Sequence, residues 1–180
     1  MVVNNFCRLL ESAVAGNQGP SRSASASHLW STLAELSCIA CGGASRHGLA
    51  LGEAIKAYFT AADILDDVED QDGEGALWQS IGPALAVNAG SGLLLLAFEK
   101  LTDLQAEGVR PERVVTASRC LARAGLRASR GQHLDLEEGS SEHMTLLGYH
   151  RIMNLKAGSL VAGACLAGAL VGGGDRLVCS

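Results

Sequence analysis

The sequence predicts an all-α protein, and three observations predict it. Strand-type runs of Val, Ile, Thr and Tyr are nearly absent. Proline is scarce, with 3 in 180 residues, so little interrupts long helices. Ala, Leu and Gly dominate, and their small members let helices pack closely.

The elements follow in order. Residues 1–16 form a first helix, and Asn17 to Ser27 a polar loop. A second helix runs from His28 to Ala40 and stops at Gly42-Gly43, a C-terminal signal. A third spans Leu49 to Asp70, and DGEG (Asp72 to Gly75) breaks it. A fourth covers Gly82 to Ala106, and Gly108 to Pro111 is a turn. Pro111 suits a first helical position, so a fifth helix runs from Pro111 to Glu137. A loop from Glu138 to Glu142, a short helix over His143 to Leu155 and a Gly/Ala-rich last helix complete the chain. The 180 residues form one domain, and the pattern has no natural end at DRLVCS, so the domain is expected to be incomplete.

Composition excludes several classes. A net charge of -5 and 4% aromatics disfavour a nucleic-acid binder. The N-terminus lacks a basic n-region, and Glu11 interrupts its apolar run, so it is no signal peptide. Ala157 to Gly174 is uncharged but mostly Gly and Ala, which favours a buried helix over a membrane span. The six scattered cysteines read as reduced, buried thiols of a cytoplasmic protein. Cys38 and Cys41 have CxxC spacing with His47 nearby, but no second pair follows.

The third helix carries the unusual feature. Asp63, Asp66, Asp67 and Asp70 follow the i, i+3, i+4, i+7 pattern, within an arc of about 100°. Glu69 points away from that arc. The segment before them, AIKAYFTAA, is largely apolar. Carboxylates repel one another, resist burial and are disfavoured at a helix C-terminus. A hard divalent cation relieves all three costs, and Mg2+ binds through carboxylates, waters and substrate phosphates. The stripe therefore predicts a Mg2+ platform for a phosphorylated ligand.

The fifth helix points the same way. Arg119, Arg123, Arg127 and Arg130 share one solvated stripe, opposite Val114, Ala117, Leu121, Ala124 and Ala128. Gln132 and Asp135 fall on the inward side, where buried polar groups need partners. Lys156, before the long uncharged run, either snorkels or faces a diphosphate.

Together these islands resemble a known family. DDVED (Asp66 to Asp70) is similar to the first aspartate-rich motif, DDxxD, of the trans-isoprenyl diphosphate synthases, the polyprenyl synthetase family. GQHLDL (Gly131 to Leu136) resembles its GQxxDL, and LKAGSL (Leu155 to Leu160) its lysine segment. PALAVNAG (Pro83 to Gly90) resembles the helix after the first motif. The resemblance covers residues 28–180.

It implies an isoprenoid-synthase-type bundle of antiparallel helices around a central cavity, here without its C-terminal helices. It implies that Asp66, Asp67 and Asp70 hold Mg2+ and an allylic isoprenyl diphosphate, and that Lys156 neutralises the leaving diphosphate. Asp63, Gln132 and Asp135 would line the same site, with isopentenyl diphosphate or another acceptor, such as a peptide, attacking the cation. A homodimer or heterodimer is the implied assembly. Tyr58, Phe59 and Ala62 lie where the family sets product length, and the two aromatics could equally be plain core. The alternatives are a non-catalytic partner subunit of a prenyl diphosphate synthase and a class I terpene cyclase.

The chain departs from the family pattern too. No second aspartate-rich motif appears, and QDGEGALWQ (Gln71 to Gln79) lacks the usual paired arginines. GGASRH (Gly42 to His47) echoes the family's GGKR-type element with its lysine gone and Arg46 offset. Those basic groups serve isopentenyl diphosphate, so the resemblance implies allylic diphosphate binding more strongly than ordinary chain elongation.

Overall fold

A computed structural model of the chain describes residues 2–15, 22–71, 75–138 and 144–174. Every regular element among them is helical: α1 (Val2–Val14), α2 (Arg22–Ala40), α3 (Ser45–Asp70), α4 (Leu77–Ile81), α5 (Pro83–Asp103), α6 (Pro111–Glu138), α7 (Leu146–Met153) and α8 (Ser159–Gly172). A π-helical turn, Asn154–Gly158, joins α7 to α8. The all-α expectation holds.

α3 packs against α2 and α5, and α8 lies along both α2 and α6. Leu51, Ile55, Leu101, Leu104, Val114, Leu121 and Val171 bury one core, where each large side chain contributes about 1.5–3 kcal/mol. Leu10, Ile64, Leu77, Ala86 and Leu93 form a second core below α1, α4 and α5. Small residues permit the closest helix contact. A Cβ on Gly168 would run into the carbonyl oxygen of Ala34, so α8 meets α2 backbone to backbone. Two helical stretches, Pro83–Asp103 and Leu146–Gly172, are long and apolar enough to cross a membrane by length and composition. A core helix passes the same test, and Ala164, Ala167 and Val171 place α8 in the core.

Several boundaries differ from expectation. α2 begins at Arg22 rather than His28, because the Ser/Ala run that reads as a loop also has adequate helix propensity. α3 begins at Ser45 rather than Leu49. The expected helix from Gly82 to Ala106 is α5, ending at Asp103, and is preceded by the unanticipated α4. Five residues give no readable period, and α4 is fixed instead by burial of Leu77. The Gly42-Gly43 stop is observed, with Gly43 N donating to Cys38 O at 2.9 Å. Asp72 to Glu74, most of the loop expected before His143, and the DRLVCS segment with Cys179 lie outside the described residues.

Candidate active site

The last turns of α3 carry Asp63, Asp66, Asp67 and Asp70, and the end of α6 carries Gln132 and Asp135. α6 stays helical through Gly131, so both inward positions persist to Glu138. Arg119, Arg123, Arg127 and Arg130 of α6 are exposed, as expected. Lys156 sits in the π-helical turn, and π-helical insertions re-aim side chains, frequently at functional sites. Gly131 lets that turn seat against α6. A Cβ there would stand 2.5 Å from the Lys156 backbone nitrogen.

The result is one charged cluster. Lys156 Nζ lies 2.9 Å from Asp66 Oδ1, 3.2 Å from Asp70 Oδ2 and 3.1 Å from Asp135 Oδ2. Gln132 Nε2 donates to Asp70 Oδ1 at 2.7 Å. Gln132 Oε1 is buried without a hydrogen-bond partner. Asp66, Asp70, Asp135, Gln132 and Lys156 are thus brought together from three segments. Asp63 and Asp67 stand beside them on α3, half-buried.

The cluster borders a cavity of about 760 Å³. Asp63, Asp66, Glu69, Gln132, His133 and Lys156 line its polar side. Trp30, Tyr58, Phe59, Leu94 and Phe98 line its apolar part. Phe59 stacks on Trp30 at 5.7 Å, and Tyr58 meets Phe98 edge-on at 6.2 Å between ring centroids. Tyr58 Oη donates to Leu121 O at 3.1 Å, so its polar end is satisfied.

Burial sets the electrostatics. It pushes the Asp63 carboxyl up to about 7, helped by the charges of Asp67 and Asp66. It also raises Asp66, whose hydrogen bond and attraction to Lys156 offset only part of the cost. Burial opposes the charge of Lys156, but the hydrogen bonds it donates to Asp66, Asp135 and Asp70 hold its ammonium well above the usual lysine range.

One expectation is corrected here. Glu69 does not point away from the site. It lines the cavity, and burial and the Asp66 charge raise its pKa while Gln132 opposes the shift. Its angular distance from Asp66 is only about 60°, a neighbouring position that an arc drawn through the aspartates alone leaves out. The GGASRH echo does not reach the cluster. Arg46 opens α3, about 30 Å along the helix from Asp66. There Arg46 Nε donates to Glu107 O at 3.2 Å, and His47 Nε2 lies 3.0 Å from the same oxygen. Cys38 is buried, and burial raises its thiol pKa, with the Cys41 charge adding to the shift.

The donor set suits a hard cation. All its ligand atoms are oxygens, carboxylates outnumber the one lysine, and Gln132 Oε1 is an unused acceptor. As placed around the ammonium, no three His, Cys, Asp or Glu side chains among the described residues form a ready ligating group.

The class defined by these features is an all-helical bundle with an apolar cavity rimmed by carboxylates and one lysine. The chain is a member of the polyprenyl synthetase family, which it matches over residues 25–179. It is 31% identical over 134 residues to tryptophan prenyltransferase ComQ of Bacillus spizizenii, covering 74% of this chain and 44% of that protein. It is 33% identical over 138 residues to farnesyl diphosphate synthase of Geobacillus stearothermophilus, covering 71% and 46%. The fold matches geranylgeranyl pyrophosphate synthetase from the archaeon Geoglobus acetivorans with a TM-score of 0.80 at 24% identity, over 94% of this chain and 55% of that one. The chain thus spans less than half the length of these two curated relatives.

Proposed function

We propose that this chain binds an allylic isoprenyl diphosphate at the carboxylate–lysine cluster and ionises it for attack by isopentenyl diphosphate or another acceptor. The observation that carries the reading is the Lys156 ammonium, held between Asp66, Asp70 and Asp135 at the polar side of an aromatic-lined cavity. The prenyltransferase names of its relatives support the same reaction class.

Asp66, Asp67 and Asp70 would hold Mg2+, which supplies positive charge to the diphosphate and favours its departure. Lys156 adds a point charge aimed at the same leaving group. Gln132 orients Asp70 through its amide, and Asp135 holds Lys156 from the α6 side. Asp63 faces the substrate from one turn deeper. In the reaction the allylic C–O bond breaks and diphosphate keeps the electron pair. The acceptor then forms the new bond to that carbon and loses a proton. Trp30, Tyr58, Phe59 and Phe98 form an apolar wall that keeps water from the cation.

A cytoplasmic dimer, with itself or a sister chain, completes the reading. The free thiols of the described cysteines suit a reducing compartment. Leu85 and Leu95 of α5, both exposed, suit an interface.

The test is turnover of allylic diphosphates by the full chain, with and without Mg2+ and isopentenyl diphosphate. Mg2+-dependent product and loss of most activity in Asp67→Asn are expected. Unchanged activity in that variant would sink the assignment. Turnover only after adding an active synthase would make the chain a partner subunit, and a hydrocarbon from one substrate would make it a cyclase.

A further inference from the structure

We propose that Lys156 is a built-in counter-ion that keeps a divalent cation off the aspartate cluster until a diphosphate draws the ammonium away. Metal and diphosphate then enter together. The inference rests on the function proposed above and concerns the order in which its site is filled.

The ammonium has three N–H donors, and Asp66, Asp70 and Asp135 occupy all three, at 2.9, 3.2 and 3.1 Å. The seat is full. It is also the wrong size for a bare metal ion. Magnesium takes its oxygens at about 2.0–2.1 Å in a near-octahedral shell, so Asp66 and Asp70, which hold the ammonium at 2.9 and 3.2 Å, would each have to close by about 1 Å. Among the described residues no three acidic, histidine or cysteine side chains are already arranged to ligate. A metal ion arriving alone must both displace the lysine and contract the site. A diphosphate offers the ammonium anionic oxygens in exchange and brings oxygens that complete a metal shell.

Two further observations support the exchange. Gln132 is 7% exposed, and its Oε1 has no partner, although the same amide donates to Asp70. A buried acceptor left unused costs stability, and a metal-bound water arriving with the ligand would satisfy it. The backbone of Lys156 abuts Gly131, where no Cβ fits. The backbone is thus held, and the long side chain, 22% exposed, is the part free to swing.

The experiment titrates the full chain with Mn2+, followed by the EPR signal of the free ion, with and without inorganic pyrophosphate. It uses wild type, Lys156→Met and Lys156→Arg, each checked for helical content by circular dichroism. Lys156→Met should bind Mn2+ alone about tenfold or more tightly than wild type. Lys156→Arg keeps the charge and should bind it as weakly as wild type does. Lys156→Met binding Mn2+ alone no more tightly than wild type overturns the counter-ion role. If Lys156→Met fails to fold, Lys156→Arg decides: a bare-ion affinity well above wild type overturns the role, because the charge is still present. If wild type takes up no Mn2+ even with pyrophosphate, the proposed function fails as well, which separates the two failures.

Discussion

Gly131 and Lys156 meet backbone to backbone: a Cβ on Gly131 would stand 2.5 Å from the Lys156 nitrogen and 2.8 Å from the Leu155 carbonyl carbon. Neither atom is the end of a flexible side chain, so a methyl group there forces α6 and the π-helical turn apart. The three lysine contacts depend on that approach.

Gly131→Ala should therefore destabilise the protein by about 1–3 kcal/mol, the usual cost of overpacking. It should also weaken pyrophosphate binding, because Lys156 withdraws from the polar side of the cavity where the diphosphate would sit. Urea denaturation and a pyrophosphate titration check both effects. Wild-type stability in this variant would mean that the close approach is absent in solution.

Asp63 gives a pH signature. Its carboxyl ionises near 3.8 when unfolded but near 7 in the folded protein, where burial disfavours the charge and Asp67 and Asp66 repel it. Between those values the folded state holds the extra proton. The stability linked to Asp63 is thus full below the unfolded value, falls as pH rises through the window, and levels off above the folded value. The charged groups acting on it are Asp67 and Asp66, and Asp66 is raised as well. In metal-free protein, Asp63→Asn should melt roughly 2–4 °C above wild type at pH 8 and level with it at pH 4. A melting difference that stays constant across that range would remove Asp63 as its source.

Arg46 supplies a negative control. It donates to Glu107 O at the far end of α3. Arg46→Ala should change stability by no more than about 0.5 kcal/mol and leave turnover of allylic diphosphates at the wild-type level. A large fall in turnover would bring the GGASRH segment into the site.

The carboxylate stripe was legible because helical spacing needs only the local period, and α3 is regular from Ser45 to Asp70. The inward pair Gln132 and Asp135 was legible for the same reason. The aim of Lys156 was not. Spacing carried through a regular helix cannot anticipate a π-helical turn, which shifts the phase of every later residue. Which carboxylates pair with the lysine depends on Gly131, a contact between segments 25 residues apart in sequence. The position of GGASRH was not legible from its letters, because only the length of α3 carries Arg46 to the end opposite the carboxylates.

The cavity floor yields the last prediction. Phe59 is 4% exposed, stacks on Trp30 from α2, and lies seven residues before Asp66 on α3. That separation is about 10 Å, so Phe59 stands two turns below the carboxylates. On the proposed function, a ring at that depth would limit how long a hydrocarbon tail can descend from a diphosphate held at the cluster. Phe59→Leu keeps an apolar residue while removing part of the ring volume, and so costs less than the roughly 3–5 kcal/mol of a Phe→Ala change. The variant should shift turnover toward allylic diphosphates one isoprene unit longer, with substrate preference measured as kcat/KM across a chain-length series. The magnitude expected for space vacated in an apolar pocket is about 10-fold or more. Tyr58→Phe is the companion test. It deletes only the hydroxyl that donates to Leu121 O, so it should leave chain-length preference in place and cost about 1 kcal/mol of stability. If Phe59→Leu leaves the preference unchanged while Tyr58→Phe shifts it, the floor lies on the Tyr58 side, and the Trp30–Phe59 stack is core packing alone.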